Sequence, residues 1–411
     1  MRTMRRAAIV APCRTPGGAE GGLLGQATPE RLLSAVLDAV VDRSGIDAGL
    51  IEDMALAQPS QPLAAGVIDG VPATVAGLDS GRRRASGLQA LITAAMTVQT
   101  GAADVVLAGG VEGGAAGPDP IDEGAVRDAE ELAQRYAIRR TAADAFAAQS
   151  HRKAADAWQR GSFGDEVVPI DLPYQRDSYL IARDEGVRLD ASAERLAELR
   201  PFVANGVVTT GNMSNRNVGA SACLVVAEEM LDELGLIPMA YFAGWAAAGR
   251  DGPDAGSGAA PAVAKLLNKI GITLDDLDLV EINEGFAVEV LALLAEWDWD
   301  NAGRLNVNGS AISLGDPGGA AGLRIMTTMV HQLYRSGGSL GLEAISMGPD
   351  HGIAALFESA GSFRPDPRLV ETAPMPRPVI PNSPAPSRRL GPARFRTTSG
   401  SRYGLTGRHR R

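Results

Sequence analysis

The stretch from Ser86 to Gly110 does most to limit the folds open to this 411-residue chain. Leu88, Leu91, Ile92 and Ala95 recur at helical spacing. The helix they define runs into Asp104 and then Val105-Val106-Leu107-Ala108-Gly109-Gly110, an unbroken apolar run closed by a glycine pair. A strand with no polar alternation is one buried on both faces. Helix leading into such a strand is the grammar of an α/β protein, and it predicts a parallel sheet with helices on both sides. The beginning of the chain reads the same way. Residues 7–12 form a short apolar run suited to a buried strand. Thr28-Pro29 then offers a cap and a first-turn proline, Leu32, Leu33, Val36, Leu37 and Val40 share one helical face, and Gly45 closes the helix.

Residues 118–204 differ. They carry polar helices, such as 141–160 before Gly161, and irregular acidic segments, so they read as an insertion and not as more sheet. Apolar alternation returns at 207–210 and 222–227. From about 237 the strand–helix grammar restarts, with helices at 262–269, 286–297 and 321–334, a strand at 277–282, and a closing hairpin of 340–346 with 352–358. The expected organisation is two similar α/β halves, 1–117 with 205–236 and then 237–360. An inserted loop domain at 118–204 interrupts the first half, and a tail at 361–411 follows the second.

Charge separates the tail from the body. Residues 361–411 hold 11 Arg, no Lys and only Asp366 and Glu371 as acids, for a net +9. The remaining 28 basic and 47 acidic residues sum to −19, which argues against nucleic-acid binding by the body. Rich in Pro, Ser and Arg, the tail reads as a disordered basic extension or as a docking arm for an acidic partner. Two cysteines, Cys13 and Cys223, are too few for a disulfide framework or a cysteine metal site. No apolar run approaches the roughly 20 residues of a membrane span. The basic N-terminus precedes an apolar run shorter than the roughly 7 to 15 residues of a signal peptide. These features predict a cytoplasmic protein without membrane contact.

Four separated blocks carry a family resemblance. The first is Ser86-Gly87-Leu88-Gln89-Ala90 with the strand ending Gly109-Gly110-Val111-Glu112. The second is Glu281-Ile282-Asn283-Glu284-Gly285-Phe286-Ala287. The third runs from Asn306-Val307-Asn308-Gly309 to Gly315-Asp316-Pro317, and the fourth from Gly341-Leu342 through Ser346 and Gly348 to Gly352-Ile353-Ala354. Cys13-Arg14-Thr15-Pro16-Gly17, Thr210-Gly211-Asn212 and Asn217 support them. In this order and at these separations the blocks resemble the thiolase family (acetyl-CoA acetyltransferases and 3-ketoacyl-CoA thiolases) over about residues 5–360. The resemblance implies a five-layered α/β/α/β/α fold, a homodimer or homotetramer, and acyl-CoA as ligand with no permanently bound cofactor.

It also implies a chemistry: a cysteine opening a buried helix takes the acyl group, a histidine in a Gly-His-Pro turn activates it, and a second cysteine in the final hairpin moves a proton. The asparagine of an Asn-Glu-Ala-Phe block holds a water that helps bind the oxyanion. A thiolate at a helix N-terminus is a strong nucleophile, and the enolate oxygen needs preorganised donors. Here the reactive residues are replaced. Asp316 stands for the histidine and Ser346 for the second cysteine. Counting back from Ser86 puts Arg84 in the nucleophile position, whereas counting forward from Val71-Pro72-Ala73 puts Ser80-Gly81 there, with Arg82-Arg83-Arg84-Ala85 inserted. Of the four roles only Asn283 keeps its residue type.

Loss of one oxyanion donor costs roughly 100- to 1000-fold in rate, so these losses together predict a degenerate thiolase. Such a chain would be an acyl-CoA-binding scaffold or a partner subunit of an active homologue. Two other readings stand beside it. Ser80 could carry an acyl group, and a tyrosine (Tyr241 or Tyr334) could serve a retro-aldol cleavage of a β-hydroxyacyl-CoA, as in some thiolase-like lyases. Arg82, Arg83 and Arg84 read either as a solvated loop or as a clamp for CoA phosphates. Asp316 reads as a turn residue or a new base, and Ser80 as a helix cap or a nucleophile.

Overall fold

The computed structural model describes residues 4–19, 21–57, 76–79, 83–113, 122–174, 177–249, 257–348 and 350–361, with 76–79, Arg83, Tyr174 and Asp177 described by their backbone alone. Ser80, Arg82 and the tail beyond 361 lie outside these residues. The strands are β1 (Ala7–Arg14), β2 (Asp53–Ala57), β3 (Ala76–Asp79), β4 (Val105–Glu112), β5 (Ile170–Tyr174), β6 (Asp177–Ile181), β7 (Gly219–Ala227), β8 (Pro238–Gly249), β9 (Leu279–Ile282), β10 (Leu340–Ser346) and β11 (His351–Ser359). The helices are α1 (Pro29–Ser44), α2 (Ser86–Thr100), α3 (Glu123–Arg135), α4 (Arg140–Gln159), α5 (Ala193–Ala197), α6 (Leu231–Leu234), α7 (Ala259–Ile270), α8 (Ala287–Trp297), α9 (Ala311–Leu314) and α10 (Ala321–Ser336).

Nine strands form one sheet in the order β3-β2-β4-β7-β1-β8-β11-β10-β9, and β5–β6 make a separate hairpin. The sheet is mixed, not parallel as the strand–helix grammar predicts. Parallel pairing is confined to its two ends, β3-β2-β4 and β10-β9, while β7, β1, β8 and β11 pair antiparallel with their neighbours. The reason lies in the connections. Only a crossover of a dozen or more residues returns a strand parallel, and β10 turns into β11 through a short hairpin.

α1 forms as its sequence dictates. Thr28 accepts from the Arg31 amide at 3.3 Å, Pro29 starts the first turn, and Gly45 ends it at φ 70°. Its five buried side chains cover β1, β4 and β7 from outside, each worth roughly 1.5–3 kcal/mol when buried. Helices α2 and α10 lie in the middle. Their apolar residues share one core with Val106 and Val225 from the first half of the sheet and with Ile345, Ile353 and Phe357 from the second. They touch through glycine: a Cβ on Gly322 would lie 2.6 Å from the Leu88 amide nitrogen. Helices α7 and α8 cover the second half with Leu266, Val290 and Leu293. The order α1, half-sheet, α2 with α10, half-sheet, α7 with α8 is the five-layered arrangement expected.

Residues 207–210 do not form a strand, despite their alternation. The amides of Val207 and Val208 donate to the Glu130 carboxylate at 2.8–3.0 Å and that of Thr209 to Asn212 Oδ1 at 2.9 Å. Side chains satisfy this backbone, so no neighbouring strand is required. A buried ion cluster joins the segment between α4 and α5 to β1. Arg14 contacts Glu166 and Asp184 at 2.7 Å each, with all three side chains almost inaccessible.

Candidate functional site

The chain ends of the half-sheets converge on a few polar residues. β9 stops at Ile282, and Asn283 follows with its amide donating to the Ala344 carbonyl of β10 at 3.0 Å. Asp316 sits in the turn after α9. Its amide donates to the Asn215 carbonyl at 3.2 Å and its own carbonyl accepts from the Asn217 amide at 3.1 Å, which fixes the side chain inward. Arg84 lies in the single 3-10 turn that precedes α2.

Side chains link these three. Arg84 Nη1 is 3.2 Å from Asp316 Oδ2, and Asn283 Nδ2 donates to the same oxygen at 3.2 Å. Asp316 and Asn283 are buried, while the Arg84 side chain retains 40% exposure. Arg84 is therefore turned inward onto a carboxylate and is not held out in a surface loop. The Asp316 charge raises the Arg84 guanidinium above its ordinary pKa against the opposing effect of burial, and Glu289 adds to it. Beside them, Arg216 donates to Glu112 Oε1 at 2.6 Å, and Glu112 Oε2 accepts from the Gly319 amide at 3.2 Å.

Ser346 is employed differently. Its hydroxyl lies 3.1 Å from Ser257 Oγ and accepts from the Ala259 amide at 3.3 Å, at the opening of α7. It shares no hydrogen bond with Asn283 or Asp316 among the described residues. Ser80 and Arg82 cannot be placed, being outside those residues, and the Arg83 side chain is likewise not described. Tyr241 stacks under Arg6, with its centroid 3.7 Å from the guanidinium carbon, and so belongs to a surface ion cluster and not to this site. Tyr334 lies on α10 as one of its partly exposed residues. Cys13 and Cys223 are sealed in the core, and burial pushes both thiols up, Cys13 to about 12, which removes them as nucleophiles.

The residue that sequence reasoning missed is Glu289. It is the third residue of α8, in a stretch of otherwise apolar and small residues, Ala287-Val288-Glu289-Val290-Leu291. A lone acid there was the available signal. Burial pushes its carboxyl up to about 7, with Arg84 opposing the shift and Asp316 assisting it. Among the described residues no group of three His, Cys, Asp or Glu could hold a metal ion, and no helix is long and apolar enough to cross a membrane.

Known proteins place this arrangement. The thiolase N-terminal domain matches residues 7–118 and 122–229, and the thiolase C-terminal domain matches 236–359. The acetyl-CoA acetyltransferase of Chromobacterium violaceum is 35% identical over 392 residues, covering 85% of this chain and 99% of that protein. That of Pseudomonas aeruginosa is 35% identical over 389 residues, covering 85% and 98%. The crystal structure of the Bacillus anthracis acetyl-CoA acetyltransferase superposes with a TM-score of 0.80 at 35% identity, covering 87% of this chain and all of that one. Human mitochondrial 3-ketoacyl-CoA thiolase in complex with CoA gives 0.78 at 30% identity, covering 87% and 99%. Both domain matches run along nearly the whole described body, in the order and with the five-layered fold the blocks imply, and the chain belongs to the thiolase family.

Proposed function

We propose that this thiolase-family protein binds a CoA thioester but does not perform thiolysis or Claisen condensation. One observation carries the reading. Where the resemblance puts the nucleophile and its histidine, counting back from Ser86, the chain has Arg84 and Asp316, and these two are ion-paired at 3.2 Å. A guanidinium has no nucleophilic electron pair, and an aspartate paired to it is not available to activate a thiol. With Ser346 in place of the second cysteine, the usual proton-transfer group is absent too. Binding of CoA is supported by the relatives' names and by the human neighbour's complex with CoA.

The protein is proposed to be cytoplasmic and to act as a homodimer or homotetramer, or as one subunit beside an active homologue. In this reading residues 118–204 are an inserted loop domain within the first thiolase half, 1–117 with 205–236, and 237–360 form the second half. Acylation of Ser80 is the second reading, and intact mass after incubation with acyl-CoA tests it: absence of an adduct, or one surviving Ser80→Ala, eliminates it. For the main reading, titration calorimetry with acetyl-CoA and a long-chain acyl-CoA is paired with a thiolysis assay on acetoacetyl-CoA. Binding without cleavage is expected. Cleavage by the purified chain alone would sink the proposal.

A further inference from the structure

Three departures from the family pattern meet at one point. Arg84 and Asp316 are two of them. The third is Gly285, where the Asn-Glu-Ala-Phe block has alanine. A Cβ built on Gly285 would lie 2.7 Å from Glu289 Oε2 and 2.8 Å from Arg84 Nη1. The two side chains thus converge over the missing methyl group, and alanine at 285 would force them apart. Random loss leaves unrelated changes, but here each change accommodates the next. The product is a guanidinium bracketed by two carboxyls, Asp316 on one side and Glu289 on the other. Two buried acceptors at the same place, Asn283 Oδ1 and Asp316 Oδ1, have no hydrogen-bond partner among the described residues.

We propose that Glu289 is the acid–base residue of this rebuilt site and that, with Arg84, it exchanges the protons on the carbon next to the carbonyl of a bound CoA thioester. The proposal rests on the CoA-thioester reading above. The step is balanced without a further reactant. The C–H bond at that carbon breaks, its proton goes to Glu289 Oε2, and the electron pair moves to the thioester oxygen as an enolate. Arg84, which has donors beyond the one Asp316 engages, holds that oxygen. The reverse step returns a proton from Glu289, which is half-buried and so can exchange with water. Negative charge moves from Glu289 to the enolate while staying beside the same guanidinium, so no new charge is created in the site.

The environment of Glu289 suits the task. An acid–base group works best with a pKa near the working pH, and burial brings this carboxyl up to about 7. The groups that face it are Arg84 and Asp316 from the site loops, Asp128 from α3 and the backbone N–H of Phe286. Arg84 and the N–H favour the carboxylate, and the two aspartates disfavour it.

The test uses the full chain and acetyl-CoA in D2O, with the mass of recovered acetyl-CoA and the binding isotherm taken on the same preparation. Deuterium is expected to enter the acetyl group only with protein present, at a rate that falls as pH drops through about 7. Glu289→Gln should lower the rate roughly 100-fold or more while binding stays within about threefold. Gly285→Ala keeps every reacting group but separates Arg84 from Glu289, so it should slow exchange as well, and it stands in if the glutamine variant does not fold. Binding without exchange, or exchange at full rate in either variant, overturns the proposal and leaves the binding reading in place. Absence of binding overturns both.

Discussion

Replacing Arg14 by Met tests how the segment between α4 and α5 is held on the sheet. The guanidinium touches Glu166 Oε1 at 2.7 Å and Asp184 at 2.7 and 3.1 Å, and neither carboxylate is accessible to solvent. Methionine preserves the apolar stem but leaves two buried acids without a cation. Asp184 keeps the Gly17 amide at 2.6 Å and the Trp158 indole N–H at 3.1 Å, whereas Glu166 keeps the Thr328 hydroxyl at 2.8 Å. Glu166 is therefore the more exposed to the loss. Removing one partner of a buried ion pair costs about 3–5 kcal/mol. The stranded acid can relieve this by taking a proton. For a carboxyl with a pKa near 4 in the unfolded chain, protonation costs about 4 kcal/mol at pH 7 and about 1.4 kcal/mol at pH 5. The expected destabilisation is thus about 4 kcal/mol at pH 7 and about a third of that at pH 5. A native stability of about 5–15 kcal/mol leaves the variant folded for measurement. Guanidinium unfolding followed by tryptophan fluorescence reads the midpoint, and Trp158 reports the damaged region itself. A loss below about 1 kcal/mol at pH 7, or one that does not shrink at pH 5, would show the cluster is not held as an ion pair.

Other outcomes follow from buried titratable groups and from one cap. Glu281 lies opposite Glu343 in the β9–β10 register, and burial pushes its carboxyl up to about 8. A raised carboxyl stabilises fully only below its unfolded pKa, so stability should decline from about pH 4.5 to about pH 8; Glu281→Gln should flatten that decline by about 3 kcal/mol at pH 7 in denaturation series. His151 is buried and its ring is pushed down to about 4, so its stability contribution holds above the usual histidine pKa and is lost as pH falls toward 4. His151→Gln should reduce the acid sensitivity between pH 6 and pH 5 by about 1 kcal/mol, and an unchanged acid limb would refute this assignment. Ser346→Ala removes the acceptor at the start of α7 and should cost about 1 kcal/mol in thermal or chemical unfolding without altering binding of acetyl-CoA.

Much of the molecule was legible in its sequence because the signals were local. Thr28, Pro29 and Gly45 define α1 through backbone sterics and a side-chain cap, which no distant residue needs to assist. A continuous apolar run marked β4 as a strand buried on both faces, and the order of glycine-rich blocks implied the five layers; β7 read as alternating, yet all nine of its residues are buried. Strand direction was not legible. Whether β7 runs with or against β4 depends on the path of some hundred intervening residues, not on either strand. Residues 207–210 misled because alternation says which groups are apolar, while Glu130, distant in sequence, decides what their amides bond.

At the site the division is sharper. From the sequence, the resemblance alone implies that Asp316 and Ser346 stand where the family has reactive residues, because its blocks align those positions one by one. It left Arg84 and Ser80 as rivals for the nucleophile position, and it gave Glu289 no role. Ser80 lies outside the described residues, so that rivalry stands; what Arg84 and Glu289 touch is set by distances between the turn before α2, the turn after α9 and the first turn of α8. The ion pair of Arg84 with Asp316, and the room that Gly285 leaves for Glu289, exist only once three remote segments are packed within hydrogen-bonding reach. Burial then sets the proton affinity of Glu289, and burial is a property of the packed molecule that no short run of residues contains.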